Sequence, residues 1–261
     1  MPNWVTNILT VSGEDTILDI AKKYKQDDGD LGSFDFNKII AMPESLNVIA
    51  GSVQDTAVSA YYAECNPREQ EEIRKMIEKY NSKKTFSSLS YTKKFDNAEA
   101  DGYVAEQFKK AGVKTYAEYG KIYINNLRLF GAPDWYEWAI EMWGTKWNAH
   151  SNYTWEDEGE DEENITFETA WSTPEPVIKA LSERHPNTYF TVLYGDENYG
   201  CNVGKYCYKN GILVTSILPD DSSIEAMNMA AEIFGVWDDL EGFEYDEKNG
   251  TYVKKEEGET K

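Results

Sequence analysis

The sequence predicts an α+β fold, in which an antiparallel sheet carries helices on one face and a helical region occupies the middle of the chain. Segments rich in β-branched and aromatic residues lie towards both ends, and apolar residues spaced by three or four lie between them. Asn210-Gly211 stands between two such strand-like segments and is a strong hairpin signal. With 261 residues, 41% of them hydrophobic, the chain can bury a substantial core.

The first half opens with a strand and a helix and then becomes helical. Residues 4–12 alternate partly and end at Gly13, and Asp15 or Thr16 can cap the helix that follows. Asn66-Pro67 places proline in the favoured first turn of another helix. The predicted elements are a strand at 4–12, a helix at 15–24, a loop at 26–33, a strand at 34–40 and helices at 68–80, 98–111, 115–130 and 133–143. Residues 44–66 give no clear pattern.

From residue 145 onward the pattern turns to strands. Ser172 or Thr173 is a candidate cap for a helix that begins near Pro174. The predicted elements are strands at 145–153, 165–171, 190–194, 201–208 and 212–218, helices at 172–184 and 222–234, and either a last hairpin or a tail at 243–253. We expect an N-terminal region at 1–130, a C-terminal domain at 131–235 and an acidic tail at 236–261.

The chain is strongly acidic, and the charge is unevenly distributed. The formal net charge is -21, which disfavours contact with nucleic-acid backbones and anionic lipid. Residues 156–163 contain seven acids and no base, and residues 238–261 contain nine acids and four lysines. Such blocks are usually solvated, although they could also serve as contact surfaces or imitate a nucleic-acid backbone. The acids of the first block are Glu156, Asp157, Glu158, Glu160, Asp161, Glu162 and Glu163.

Familiar catalytic and ligand motifs are absent from the sequence. The two histidines, His150 and His185, have no ligand-like neighbours, and the three cysteines form no CxxC pair. Phosphate-binding glycine loops and the GxSxG elbow do not occur. We therefore predict no catalytic residue, metal or cofactor. No apolar run reaches the length of a membrane helix, and the first residues carry no secretory signal, which predicts a cytoplasmic protein without membrane contact.

Tryptophan is concentrated in one segment, where six of the eight residues fall between positions 135 and 171. One interpretation is that these rings join the central helices to the C-terminal sheet as core. The other is that they stack a planar ligand such as a nucleobase, with polar side chains beside them. The candidate ligand-binding residues are Arg128, Trp135, Trp143, Lys146, Trp147 and Asn148.

Four blocks of the sequence carry a resemblance to a known family. They are Met1-Pro2-Asn3-Trp4-Val5, Phe34-x-Phe36-x-x-Ile39-Ile40-Ala41-Met42-Pro43, Asp134-Trp135-Tyr136-x-Trp138 with Trp143-Gly144-Thr145-Lys146-Trp147-Asn148-Ala149, and Phe167-x-Thr169-Ala170-Trp171-Ser172-Thr173-Pro174. Together they resemble the YubB-like proteins of bacteriophages and plasmids. The resemblance implies a ferredoxin-like α+β domain and an accessory protein of a mobile element in the bacterial cytoplasm, with no catalytic residues to transfer.

These observations predict a non-enzymatic accessory protein that binds and inhibits a bacterial host factor, specifically a defence component. Three alternatives stay open: a sponge for a nucleotide immune signal, an acidic DNA mimic and a hydrolase of unknown type. The expected partners are a host protein or a small nucleotide, without direct binding of nucleic acid. The sequence leaves the oligomeric state open.

Overall fold

The computed structural model describes residues 3–84, 88–93, 100–150 and 163–255. The chain forms two compact units, one of Met1–Ala41 with Met142–Lys261 and one of Met42–Glu141. The first unit holds the sheet and the second is helical. The boundaries expected at residues 130 and 235 stay a prediction.

The sheet unit contains the strands β1 (Trp4–Ser12), β2 (Ile165–Ala170), β3 (Tyr189–Asp196), β4 (Gly204–Lys209) and β5 (Ile212–Ile217), and a separate hairpin comprises β6 (Phe243–Asp246) and β7 (Thr251–Lys254). The first five form one antiparallel sheet in the order β2-β1-β3-β4-β5. Because β1 pairs antiparallel with both β2 and β3, these two neighbours of β1 run parallel to each other. A helix connects them, which gives the split βαβ unit of ferredoxin-like folds. The predicted α+β class is confirmed.

The helices follow the sequence pattern closely. Their bounds are α1 (Ile17–Tyr24), α2 (Ser52–Glu64), α3 (Pro67–Asn81), α4 (Gly102–Lys110), α5 (Tyr116–Phe130), α6 (Trp135–Met142), α7 (Glu175–Arg184) and α8 (Ile224–Phe234). Thr16 caps α1 and Asn66 caps α3, each in a reciprocal capping box with the residue three positions later. The segment that gave no clear pattern contains α2. The predicted helical middle region is therefore observed.

Each unit has its own core. In the sheet unit, every second residue along β1, β2 and β3 tends to be buried, and Val5, Leu9, Phe167 and Val192 are fully buried. In the helical unit, α2 and α5 approach so closely that a Cβ on Gly120 would lie 1.9 Å from the backbone oxygen of Ala57. The buried rings of Tyr119 and Tyr123 fill the space beside this helix pair.

Several sequence expectations were wrong in detail. The predicted strand at 34–40 is instead a short 3₁₀ turn, Phe36–Lys38, which begins where the Asp35 carboxylate accepts from the Asn37 N–H. The alternation arose because Phe34 and Phe36 both enter the core around this turn. The predicted strand at 145–153 is represented by one isolated bridge between His150 and Glu168, and residues 151–153 lie outside the described residues.

The remaining expectations concern the start of one helix and two hairpins. The expected cap of α7 at Ser172 or Thr173 is wrong, because the N-cap residue is Pro174, while the Thr173 hydroxyl bonds the Tyr206 hydroxyl and the Ser172 hydroxyl donates to the Gly144 carbonyl. The Asn210-Gly211 hairpin is confirmed, with positive φ at both residues as a type I′ turn requires. The last hairpin also forms, between β6 and β7. In the described part of the chain, no helix is long and apolar enough to cross a membrane.

Candidate functional site

The structure divides the predicted ligand-binding residues between the two compact units. Arg128 and Trp135 belong to the helical unit, in which the Arg128 guanidinium is exposed and lines a cleft beside α3. The other four residues belong to the sheet unit. Within that unit the four do not share one environment, since two enter the interior and two lie towards the surface.

Trp143 and Asn148 make their contacts inside the sheet unit. Trp143 is buried, its Nε1 donates to the Ile40 carbonyl, and its ring packs edge-on against Phe36. The Asn148 side-chain oxygen accepts from the Phe36 N–H, and its nitrogen donates to the Asp35 carboxylate. Both side chains therefore fix the segment around the 3₁₀ turn, so the interpretation of Trp143 as core is the one its contacts support.

Lys146 and Trp147 lie on a different, partly exposed surface. The Lys146 ammonium is 4.4 Å from the centre of the Trp147 ring and 4.9 Å from that of Trp171. Trp4, at the start of β1, lies 5.9 Å from Trp147 between ring centres and 5.3 Å from the His150 ring. We call this surface the indole–lysine patch, and it consists of Trp4, Lys146, Trp147, His150 and Trp171.

Short local contacts hold the patch in place. The Thr145 hydroxyl donates to the Ala170 carbonyl, which fastens the turn before Lys146 to the end of β2. Gly144 has a φ of +77°, and a Cβ there would press against Pro176. The same β2 end positions Trp171, whose N–H donates to the Asn3 carbonyl. The sequence thus places the lysine and the indoles on neighbouring turns.

Trp171 is the most unusual residue of the patch. Its φ is +73°, a left-handed conformation that costs a bulky residue of order 1–3 kcal/mol. The residue is nevertheless 42% exposed, so much of its surface remains in contact with solvent. The Asn202 side chain donates to the Trp171 carbonyl and helps to hold the conformation. Strained backbone concentrated at an exposed aromatic residue is typical of functional surfaces.

A buried hydrogen-bonded relay lies elsewhere in the sheet unit. The His185 Nδ1 is 2.8 Å from the Asp15 carboxylate, and its Nε2 is 3.0 Å from the Tyr24 hydroxyl. Hydrogen bonds from Thr188 and His185 lower the pKa of Asp15 despite partial desolvation. An acid, an imidazole and a hydroxyl in line resemble the parts of a nucleophilic site. Tyr24 is almost completely buried, however, so the relay joins α1 to the end of α7 and offers no accessible nucleophile.

The helical unit contains a second cluster of buried polar groups. Asp134 is 2% exposed, its Oδ1 accepts from the Tyr136 and Glu137 N–H groups, and its Oδ2 accepts from the Gln54 amide. Burial raises the pKa of Asp134 to about 6, partly opposed by these hydrogen bonds. Glu137 forms an ion pair with Lys84. The cluster caps α6 and ties it to α2, which is a structural role.

The remaining candidate residues can be placed only in part. Glu163 is exposed, whereas Glu156, Asp157, Glu158, Glu160, Asp161 and Glu162 lie outside the described residues. Cys65, Cys201 and Cys207 are free thiols. Within the described ranges, no group of three or more His, Cys, Asp or Glu side chains is arranged to hold a metal ion.

Sequence reasoning missed three of the five residues of the indole–lysine patch. Trp171 was counted among the clustered tryptophans but was not singled out, and Trp4 and His150 were not connected with it. The missing information was the register in which Trp4 pairs with Ala170, because this register brings β1 beside the Trp171 turn. The identity of residue 171 as tryptophan does not predict its positive φ.

Comparison with known proteins agrees with this architecture. Residues 143–237 match a family model described as the ferredoxin-like domain in Api92-like protein. This part of the chain is a ferredoxin-like domain similar to that of Api92-like proteins. Among solved structures, protein api92 from Yersinia pseudotuberculosis is 12% identical, with 85% of this chain and 100% of that chain covered and a TM-score of 0.35. No curated protein matches the chain.

Proposed function

We propose that this chain is a non-enzymatic accessory protein that binds and inhibits a bacterial host factor, specifically a component of a defence system. The observation that carries the binding role is the exposed, strained Trp171 with Lys146 beside its ring. The resemblance to YubB-like proteins of bacteriophages and plasmids supports the mobile-element origin and the bacterial cytoplasm as its place of action.

The patch has the composition of an interaction hot spot. Tryptophan is among the residues that most often supply a large share of the binding energy at protein interfaces. A ring that is held rigidly before binding loses little conformational entropy when a partner covers it. At Trp171, hydrogen bonds at the N–H and at the carbonyl fix the backbone, and the Lys146 ammonium lies 4.9 Å from the centre of the ring. A host protein bound to the patch could not use the covered surface for its own function.

Nucleotide capture is a second candidate, and one observation favours it. The Lys146 ammonium lies close to two indole rings, at 4.4 Å from the centre of Trp147 and 4.9 Å from that of Trp171. Exposed indole faces can stack a nucleobase, and an ammonium beside them can pair with a phosphate. Under this second function, the chain sequesters a nucleotide signal of the defence system and does not bind the defence proteins themselves.

The decisive test is capture from a bacterial lysate by the tagged full chain, quantified by mass spectrometry. Trp171→Ala is the test variant. Trp237→Ala is the matched control, because Trp237 is 45% exposed and its ring stacks on Tyr199, which is not a residue of the patch. The proposal expects one host protein to be retained by wild type and by Trp237→Ala and lost with Trp171→Ala. Equal retention by all three chains, or no enriched protein, would contradict it.

Thermal unfolding separates the two candidates. A ligand that binds only the folded chain raises its melting temperature. Under nucleotide capture, a cyclic or linear nucleotide should raise the melting temperature of wild type and of Trp237→Ala but not of Trp171→Ala. An unchanged melting temperature with every nucleotide, together with a captured host protein, leaves protein binding as the function.

A further inference from the structure

The helical unit contains a cleft of about 330 Å³ between the C-terminal part of α3 and the end of α5, which we call the α3–α5 cleft. This volume lies at the lower end of the range that small-molecule sites occupy. Three apolar or aromatic side chains form part of the lining, namely Met76, Tyr80 and Leu127. Tyr80 and Leu127 are buried and Met76 is half-buried, so the lining offers carbon surface to a ligand.

The rest of the cleft lining consists of Gly131 and three cations. Lys79 and Lys83 lie four residues apart at the end of α3, and Arg128 lies in the last turn of α5. All three side chains are exposed, and no acidic residue of the described ranges lines the cleft. The chain has 47 acids against 26 lysines and arginines, so a cleft lined by cations alone is opposite in sign to the chain as a whole.

The lining cations differ from their neighbours on α3 in having no carboxylate partner. Arg74 and Lys75 each form an ion pair with a glutamate of the same helix. Among the described residues, no carboxylate forms an ion pair with Lys79, Lys83 or Arg128, and the Arg128 guanidinium bonds only a neutral amide, that of Asn125. The positive charge of the cleft is therefore not neutralised by side chains.

The two helix ends offset part of this charge. Each helix C-terminus carries the equivalent of about half a negative charge, so two ends offset about one of the three positive charges and leave about two. Three acids influence the Tyr80 hydroxyl without lining the cleft, namely Asp134, Glu137 and Glu141. Lys84 forms an ion pair with Glu137. A surplus of about two positive charges beside carbon surface matches a doubly charged oxyanion that carries an apolar group.

We propose that the α3–α5 cleft binds a small organic phosphate, with the phosphate against the three cations and the apolar part against Met76 and Leu127. A guanidinium can pair with two phosphate oxygens at once, and the two ammonium groups attract the remaining charge. A phosphate carries both negative charges on one group, which suits a cleft of this volume better than two separate carboxylates. The cleft shares no residue with the indole–lysine patch, so this site and the proposed function can fail independently.

Calorimetric titration of the full chain with phenyl phosphate tests the site. Phenyl phosphate combines a doubly charged head with an apolar ring, and inorganic phosphate supplies the head alone. Wild type should bind phenyl phosphate at least about tenfold more tightly than inorganic phosphate, because the ring removes apolar surface of the cleft from water.

Charge removal in the cleft tests the role of the cations. The triple variant Lys79→Gln, Lys83→Gln and Arg128→Gln should bind phenyl phosphate at least about tenfold more weakly than wild type, because three contacts with the anion are lost. The control variant removes three exposed cations of the same two helices that do not line the cleft, by Arg68→Gln, Lys75→Gln and Lys121→Gln. It has the same net charge as the test variant and should bind within about twofold of wild type. Circular dichroism and the melting temperature confirm that both variants are folded.

The outcome also separates this site from the indole–lysine patch. Trp171→Ala should bind phenyl phosphate as wild type does, and a loss of binding there would place the anion at the patch and reject the cleft. Three other results would overturn the proposal. They are no binding of phenyl phosphate by wild type at millimolar concentration, equal weakening in the test and control variants, and equal affinity of wild type for phenyl phosphate and inorganic phosphate.

Discussion

Replacing Asp134 by asparagine should remove a specific pH dependence from the stability of the helical unit. The Asp134 carboxylate is buried at the start of α6 and accepts hydrogen bonds from two backbone N–H groups and from Gln54. Asparagine retains an oxygen that can cap the helix. The Gln54 amide can rotate so that its oxygen accepts from the new amide group. The substitution therefore removes the charge and keeps the local hydrogen bonds.

The magnitude follows from the pKa of Asp134, which burial raises from 3.8 to about 6. The folded chain thus binds this proton more tightly than the unfolded chain does. The stability contributed by the group is fully present below pH 3.8 and is lost as pH rises through about 6. At ~1.4 kcal/mol per pH unit, a difference of about two units corresponds to ~3 kcal/mol. Asp134→Asn should lack this loss.

Urea denaturation between pH 4 and pH 8, followed by circular dichroism, measures the effect. The difference in unfolding free energy between Asp134→Asn and wild type should change by ~3 kcal/mol in favour of the variant as pH rises across this range. Asp101→Asn is the control, because Asp101 precedes α4 with an exposed side chain that makes no capping bond. This control should not reproduce the ~3 kcal/mol change. A constant difference for Asp134→Asn would refute the reasoning.

Three further substitutions test other parts of the account. Trp171→Gly should be about 1 kcal/mol more stable than Trp171→Ala in thermal unfolding, because glycine adopts a positive φ without strain. An equal or lower stability of the glycine variant would disprove backbone strain at this position. Asp15→Asn should lose about 1–2 kcal/mol at pH 7 in urea unfolding, because the carboxylate holds His185. Since the pKa of Asp15 is lowered from 3.8, this loss should shrink as pH falls below that value, and a pH-independent loss would contradict the relay. Gly120→Ala should destabilise the chain by about 1–3 kcal/mol or more, because its Cβ would collide with the Ala57 carbonyl. A melting temperature equal to that of wild type would contradict the close contact between the two helices.

Local signals in the sequence predicted most of the fold. The cap of α1, expected at Asp15 or Thr16 and found at Thr16, the start of α3 at Asn66-Pro67, and the Asn210-Gly211 turn all act through contacts within a few residues. The strand expected at 34–40 failed because alternation alone cannot distinguish a strand from a turn that inserts Phe34 and Phe36 into a core. That distinction depends on tertiary packing.

The candidate site was less accessible from the sequence. Clustering drew attention to the tryptophans, but it could not separate Trp143, which is buried and bonded to Ile40, from Trp147, which contacts Lys146 at the surface. Whether each ring is buried or lies at the surface depends on the turn that precedes it in the folded chain. The exposed β5 edge was equally hidden, because apolar residues at 212–218 are typical of an interior strand.

The most direct test of binding through the indole–lysine patch is the affinity of the purified chain for the host protein captured from the lysate, measured by calorimetry. Trp171→Ala should bind at least about 30-fold more weakly than wild type, as expected when a central tryptophan of an interface is removed. Trp237→Ala should bind within about threefold of wild type. Wild-type affinity in Trp171→Ala would contradict the central claim.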